Sequence, residues 1–358
     1  MAATWRDVLT GSAKWSCEQG DAIAWLNGLP ADSVDLIFGS PPYVDARTYS
    51  RDDVSRDCQE WVDWMLDVTT AAVRVSKGLV LWVCAGVQRE LCYWPAPEGL
   101  MWEWWKRGNQ LWRPCVWWKV DEDEGGTGIP GSGGKQALRN DWEFVLQFKK
   151  EGWLPWADNT AMGHPPVCDQ VGGEMSNRRT DGTRVNLAGD DPWGKHGRGS
   201  NLGGRQRNGK KNRGTTAGNP PGPTRRDNGE YKNVARMDVT AGHNADGSLK
   251  PNGSKPMPKI ANPGNVLPII VKARVGGGHM GSKLCHDNEA PFPEKLAEFF
   301  VRSYCPEGGI VGDCFSGSGT TLAACLKWGR RFVGCDLRES QVKLTARRAA
   351  EVDGGLFG

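Results

Sequence analysis

Short apolar runs alternate with stretches of helical spacing through the first 150 or so of the 358 residues. Asp35-Leu-Ile-Phe-Gly39 is an apolar run that stops at Ser-Pro-Pro. From Asp57 to Val75 the apolar residues Trp61, Trp64, Met65, Val68, Ala72 and Val75 recur at the spacing of one helix face, which predicts an amphipathic helix. Gly78-Leu-Val-Leu-Trp-Val-Cys84 reads as a buried strand, and Cys115-Val-Trp-Trp118 and Trp142-Glu-Phe-Val-Leu-Gln-Phe148 as two more. The same alternation returns near the C-terminus. Pro293 opens a helix with Leu296, Phe299 and Phe300 on one face, since proline in a first turn gives up no hydrogen bond. Gly309 to Asp313 is a strand, Thr320 to Trp328 a helix stopped at Gly329, Arg331 to Asp336 a strand, and Glu339 to Glu351 a last helix. Strands alternating with helices predict an α/β fold with a mixed, mostly parallel sheet. No internal repeat is visible.

Between these zones, residues 151–262 lose the pattern. The 60 residues from Asn177 to Arg236 hold 12 glycines and few large apolar side chains, too little to offset the entropy of ordering. The chain therefore divides into residues 1–150, an irregular insertion at 151–262, and residues 263–358. Charge sharpens the division. The same 60 residues carry 14 Lys and Arg against 5 Asp and Glu, while the whole chain has a net charge of +3, so the remainder is net acidic. A basic segment on an acidic body suggests a polyanionic partner met at one face, although charge alone fits a solvated loop equally well. Composition excludes other classes. No run of 18 apolar residues suggests a membrane span, and the opening MAATWRDVLTGSAKW lacks the basic and apolar parts of a secretory signal. The 11 cysteines stand singly, without metal-ligand spacing, so reduced thiols in a cytoplasmic setting are expected, with no metal site.

Two segments carry chemistry. Asp313-Cys-Phe-Ser-Gly-Ser-Gly-Thr-Thr321 lies between a strand and a helix, where glycines admit close backbone approach and a helix N-terminus offers unpaired N–H groups. By itself such a loop is often only a tight turn. Here the next strand ends in Asp336, about 20 residues on, where a nucleotide-binding α/β unit places the acid that accepts from ribose hydroxyls. The loop lacks the Gly-Lys-Ser/Thr of a triphosphate site and departs from the G-x-G-x-x-G pattern of nicotinamide enzymes. The second segment is Ser40-Pro-Pro-Tyr43. Paired prolines fix the backbone and lack N–H groups, leaving carbonyls to accept from a base amino group, while Tyr43 offers a flat face to a base taken out of its stack. A bare proline turn capping a strand is the plain alternative.

Taken together, these segments resemble the DNA amino-methyltransferases of the beta arrangement, in which the catalytic motif comes first, target recognition lies in the middle and the cofactor motif comes last. Ser40-Pro-Pro-Tyr43 precedes the Asp313 loop by roughly 270 residues in that order. Gly20-Asp21 and Leu29 to Tyr43 look like the family's opening. Lys283-Leu-Cys-His286 and Ala290 to Leu296 look like its motif before the cofactor loop, and Trp118-Lys119 with Arg139 to Glu143 like its segment near the target base. The resemblance covers about residues 15–150 and 262–350. Cys314 departs from it, since the family commonly has proline there.

The resemblance implies a Rossmann-like S-adenosylmethionine-dependent methyltransferase fold with circularly permuted motif order. It also implies direct in-line methyl transfer to a flipped base in double-stranded DNA. Asp21, Asp313, Phe315, Ser316, Gly317, Ser318, Gly319, Thr320, Thr321 and Asp336 would surround the cofactor, with Asp336 on the ribose and Asp21 on the adenine side. Ser40, Pro41, Pro42 and Tyr43 would act at the amine. A motif opening with Ser is associated with cytosine N4 and one with Asp with adenine N6, so cytosine N4 is the expected acceptor. Adenine N6, a protein glutamine side chain and a non-catalytic nucleic-acid-binding module remain as alternatives. Arg205, Arg207, Lys210 and Lys211 in the basic insertion are expected to meet DNA phosphates. A cognate restriction endonuclease and a second copy of the chain are further candidate partners. Pro114-Cys115 has the letters of the carbon-5 nucleophile motif, but in a strand it reads as core packing.

Overall fold

Three segments are apolar without interruption, and the computed structural model buries every residue of each: Leu36–Gly39, Leu79–Cys84 and Ile310–Asp313. Strands buried on both faces belong in the middle of a parallel sheet covered by helices. The structure describes residues 3–44, 57–89, 92–120, 140–163, 260, 262–270, 282–284 and 291–355. Residues 1–164 together with 262–358 form one compact unit, and residues 165–261 a second, of which only Ile260 is among the described residues.

In chain order the first unit runs α1 (Trp5–Thr10), β1 (Trp15–Gln19), α2 (Ala22–Gly28), β2 (Leu36–Gly39), α3 (Cys58–Val75), β3 (Leu79–Cys84), β4 (Val87–Arg89), β5 (Cys92–Trp94), α4 (Ala96–Lys106), β6 (Gln110–Leu111), β7 (Cys115–Val120) and β8 (Trp142–Lys149). It resumes with β9 (Val266–Ile270), α5 (Glu294–Tyr304), β10 (Ile310–Asp313), α6 (Thr320–Lys327), β11 (Arg331–Asp336) and α7 (Glu339–Gly355). The main sheet has the order β1-β11-β10-β2-β3-β8-β7-β9, with β6 beside β8. From β1 to β3 all neighbours are parallel; β8 runs antiparallel between β3 and β7, and β9 is parallel to β7. The sheet is thus mixed and mostly parallel, as the alternation of strands and helices predicts.

Two apolar layers sandwich the sheet. Trp25, Trp61, Met65, Leu100 and Trp104 from α2, α3 and α4 cover one face, and Leu296, Phe300 and Leu322 from α5 and α6 the other. Phe38 of β2 lies stacked on Phe300 at 5.5 Å and edge-on to Phe292 at 5.3 Å. The predicted face of α3 is the buried one, and its start is fixed by a reciprocal cap: Asp57 accepts from the Glu60 amide at 2.8 Å and Glu60 from the Asp57 amide at 3.1 Å. Pro293 caps α5 from just outside it, one residue earlier than a first-turn placement.

The edge strand β9 and the helix α4 escape the pattern reading for identifiable reasons. β9 contains Pro268, tolerated because β9 has no partner on its outer side in the sheet order. α4 contains Gly99, where a methyl group would stand 3.1 Å from Val62 of α3, so the helices pack close at a residue that argues against helix. Among the described residues no helix is long and apolar enough to cross a membrane, and all nine cysteines are free.

Candidate active site

β2, β10 and β11 are parallel, and their C-terminal ends, Gly39, Asp313 and Asp336, lie side by side at one edge of the sheet. Ligands of open α/β sheets bind beyond this edge. Gly312 pairs with Ile37, so Asp313 emerges beside Gly39. The fit is close: a methyl group on Gly39 would come within 2.6 Å of the Asp313 carboxylate. The two motif segments, far apart in sequence, therefore meet between neighbouring strands.

The Asp313 loop is built inward. Asp313 is 1% exposed; one carboxylate oxygen accepts from the Phe315 amide at 2.9 Å and the other from the Thr321 hydroxyl at 2.7 Å. Burial pushes its pKa up to about 7, against the pull of those two bonds. Gly317 and Gly319 have φ of 50° and 75°, the left-handed region that glycine enters without strain. Gly319 also presses on α7, where a methyl group would meet Thr345 Cα at 3.1 Å. Thr345 donates to the Gly317 carbonyl at 3.1 Å and bonds the Ser316 hydroxyl at 3.0 Å. Ser316, Ser318, Thr320 and Thr321 are all buried. Phe315 is half-buried, edge-on to Trp64 and Trp82 at 5.8 Å each. Asp336 spans the far side of the loop: its carboxylate accepts from the Gly317 and Arg338 amides, both at 3.0 Å, and burial raises its pKa. Asp21 is exposed and caps α2 through the Ala24 amide at 2.9 Å, while the Gly20 amide donates to the Asp336 carbonyl at 3.0 Å.

Ser40-Pro-Pro-Tyr43 is held from elsewhere. The Ser40 hydroxyl donates to the Val83 carbonyl at 2.9 Å. The Trp61 indole donates to the Pro42 carbonyl at 2.7 Å, so only one of the two proline carbonyls remains for a ligand. That of Pro41 accepts no hydrogen bond from the described residues. The Tyr43 hydroxyl donates to Glu143 at 2.5 Å, and Glu143 also pairs with Lys119. Burial, then the Glu143 charge, lifts the Tyr43 pKa well above its usual value. Trp61 and Glu143 had a role in the pattern reading only as a helix face and a strand; nothing in the sequence signals their bonds to the motif.

The remaining candidates divide. Cys115 sits in β7 with its thiol accepting from Gln147 at 2.9 Å and its pKa pushed up to about 11 by burial, in keeping with core packing. Cys314, in place of the family's proline, is 2% exposed. Arg139, Arg205, Arg207, Lys210 and Lys211, and all of 177–236, lie outside the described residues.

Comparison with known proteins agrees with this architecture. The N6/N4 methyltransferase family, described as DNA methylase, matches residues 34–347. The chain belongs to this family. The orphan methyltransferase M.BamHII of Bacillus amyloliquefaciens is 36% identical over 78 residues, 21% of this chain and 29% of that protein. The DNA adenine methyltransferase YhdJ of Escherichia coli (strain K12) is 40% identical over 60 residues, 16% of this chain and 20% of that protein. The match thus spans under a third of either relative. The PvuII DNA methyltransferase, cytosine-N4-specific, shares the fold with a TM-score of 0.56 at 16% identity, over 96% of this chain and 91% of that one.

Proposed function

We propose that this DNA methylase transfers a methyl group from S-adenosylmethionine to the N4 amine of cytosine in double-stranded DNA. The observation that carries the reading is the junction of β2 with β10, which sets Ser40-Pro-Pro-Tyr43 against the Asp313 loop. The residues of the loop suit the cofactor. Two left-handed glycines leave bare backbone at the start of α6, and Asp336, with one backbone bond to each oxygen, keeps lone pairs for ribose hydroxyls. Asp336, Phe315, Gly317, Ser318, Gly319 and Thr320 would hold it, with Asp21 beyond the Gly20–Asp336 bond; Asp313, Ser316 and Thr321 would shape the loop from inside. When bound, the cofactor supplies an electrophilic methyl group.

The catalytic segment then needs only to hold an amine. Ser40 has one proton, which is given to Val83, so towards a ligand its oxygen can only accept. The Pro41 carbonyl is an acceptor as well. Two acceptors suit the two N–H bonds of an exocyclic amine and would turn its lone pair to the methyl carbon. Catalysis would rest on positioning, since neither group is a strong base. Cytosine follows from Ser40 at the head of the motif. The second reading, adenine N6, is favoured by the 40% identical segment of an adenine enzyme. The basic stretch with Arg205, Arg207, Lys210 and Lys211 is proposed, on charge, to meet phosphates. Mass spectrometry of nucleosides from an expressing, otherwise unmodified host should find N4-methylcytosine. N6-methyladenine alone would overturn the cytosine assignment, and neither would overturn the activity.

A further inference from the structure

Glu143 and Lys119 have no part in the mechanism above, yet they hold its tyrosine. Glu143 stands in β8, where Phe144 pairs with Cys84, the last residue of β3; Glu143 is thus one step beyond the edge at which the catalytic segment emerges. Its register partner in β7 is Trp117, and Lys119 lies two residues further on the same face of that strand. The Glu143 side chain is 10% exposed and that of Lys119 19%, so the pair is shielded from water. Lys119 also sits 5.3 Å from the centre of the Trp117 ring. A carboxylate so placed needs its partners, and it has two: the Lys119 ammonium and the Tyr43 hydroxyl.

We infer that Glu143, fixed by Lys119, is a positioning residue that sets the plane of the Tyr43 ring and through it the seat of the acceptor base. A tyrosine bonded only through its backbone turns freely about its two side-chain torsions, whereas one whose single proton is committed to a fixed carboxylate does not. The negative charge adds a second effect: it keeps the phenol protonated, so Tyr43 stays a neutral wall and takes no part in proton transfer. The inference rests on the methyl-transfer reading for its functional part and on the hydrogen bonds alone for its structural part.

The test uses the full chain and its five tyrosines. With 3-fluorotyrosine incorporated, Tyr43→Phe assigns the fluorine resonance of Tyr43. That resonance should move or broaden in Glu143→Ala and stay near its place in Glu143→Gln, whose amide oxygen can still accept the phenol proton. In single-turnover methyl transfer to DNA, Tyr43→Phe and Glu143→Ala should each be slower by about tenfold with cofactor affinity kept, as expected when a reacting group is misplaced. The double variant should be no slower than either single one, and Glu143→Gln should recover most of the rate. Losses that multiply in the double variant, a Tyr43→Phe enzyme as fast as wild type, or a resonance indifferent to Glu143→Ala would each overturn the inference. If Glu143→Ala does not fold, Tyr43→Phe and Glu143→Gln still decide it. Wild-type protein that transfers no methyl group to DNA would instead count against the activity itself, because the resonance measurement does not depend on turnover.

Discussion

The Asp313 loop and the Ser40 segment are neighbours in space and opposites in construction. Side-chain bonds that shape the loop reach no farther than 29 residues along the chain, from Ser316 to Thr345. Those that shape the catalytic segment come from 43 residues away at Val83 and 100 residues away at Glu143, with Trp61 nearest at 19. The loop owes its form to its own glycines, its buried carboxylate and the strand and helix that follow. The catalytic segment has rigid prolines but takes its orientation from β3, α3 and β8. Binding geometry is thus local, whereas reacting geometry is a property of the whole sheet.

Paired substitutions should break this contrast most visibly. Ser40→Ala removes an acceptor at the amine and should slow methyl transfer about 10²-fold, the scale of losing one preorganised group, with cofactor affinity unchanged. Asp336→Ala should do the reverse, weakening cofactor binding by about 1.5–3 kcal/mol as charge-assisted bonds are lost. Calorimetry beside single-turnover rates separates the two, and a variant that moved both quantities together would erase the distinction.

A titration should sharpen it next. The Asp313 carboxyl has its pKa raised by burial from 3.8 to about 7, so the folded protein holds this proton more tightly than the unfolded chain. Its contribution to stability is therefore full below about pH 4 and lost as pH rises towards 7. Relative to Asp313→Asn, wild type should lose on the order of 1–2 kcal/mol between pH 5 and 7.5, read as a falling difference in melting temperature. A difference that stays flat would mean that the loop does not bury a charge. The smallest effect should come from Trp61→Phe, which drops the bond to Pro42 but keeps an aromatic ring in the core. Turnover should fall several-fold, about 1 kcal/mol for one hydrogen bond, while cofactor affinity holds. Equal loss in both would show that α3 supports the two segments alike.

The same contrast explains what could be read from the sequence. The Asp313 loop was legible because strand, glycines, helix and acid follow one another within 24 residues, each announced by a local rule. β2, β3, β8, β10, β11 and the buried face of α3 were legible from their spacing. The tethers of the catalytic segment were not, because a bond from Trp61 to Pro42 or from Glu143 to Tyr43 leaves no periodicity behind. Even the freedom of the proline carbonyls, plausible from the missing N–H groups, was half wrong, since Trp61 occupies one of them. β9 and α4 were hidden by Pro268 and Gly99, residues whose local preference is overruled by an edge position and by close helix packing.

The seam between β2 and β10 also bears on how the protein is made. Leu36, Ile37 and Phe38 are fully buried, and β10 with α5 supplies much of their cover. A ribosome delivers β2 first and reaches β10 only after roughly 270 further residues, on the order of tens of seconds later at ordinary elongation rates. For that interval the nascent chain presents one unpaired, apolar strand edge in the middle of its future sheet, the kind of surface that recruits chaperones or other strands. The arrangement that brings catalyst and cofactor together thus also makes the final third of the chain a condition for the first third to fold.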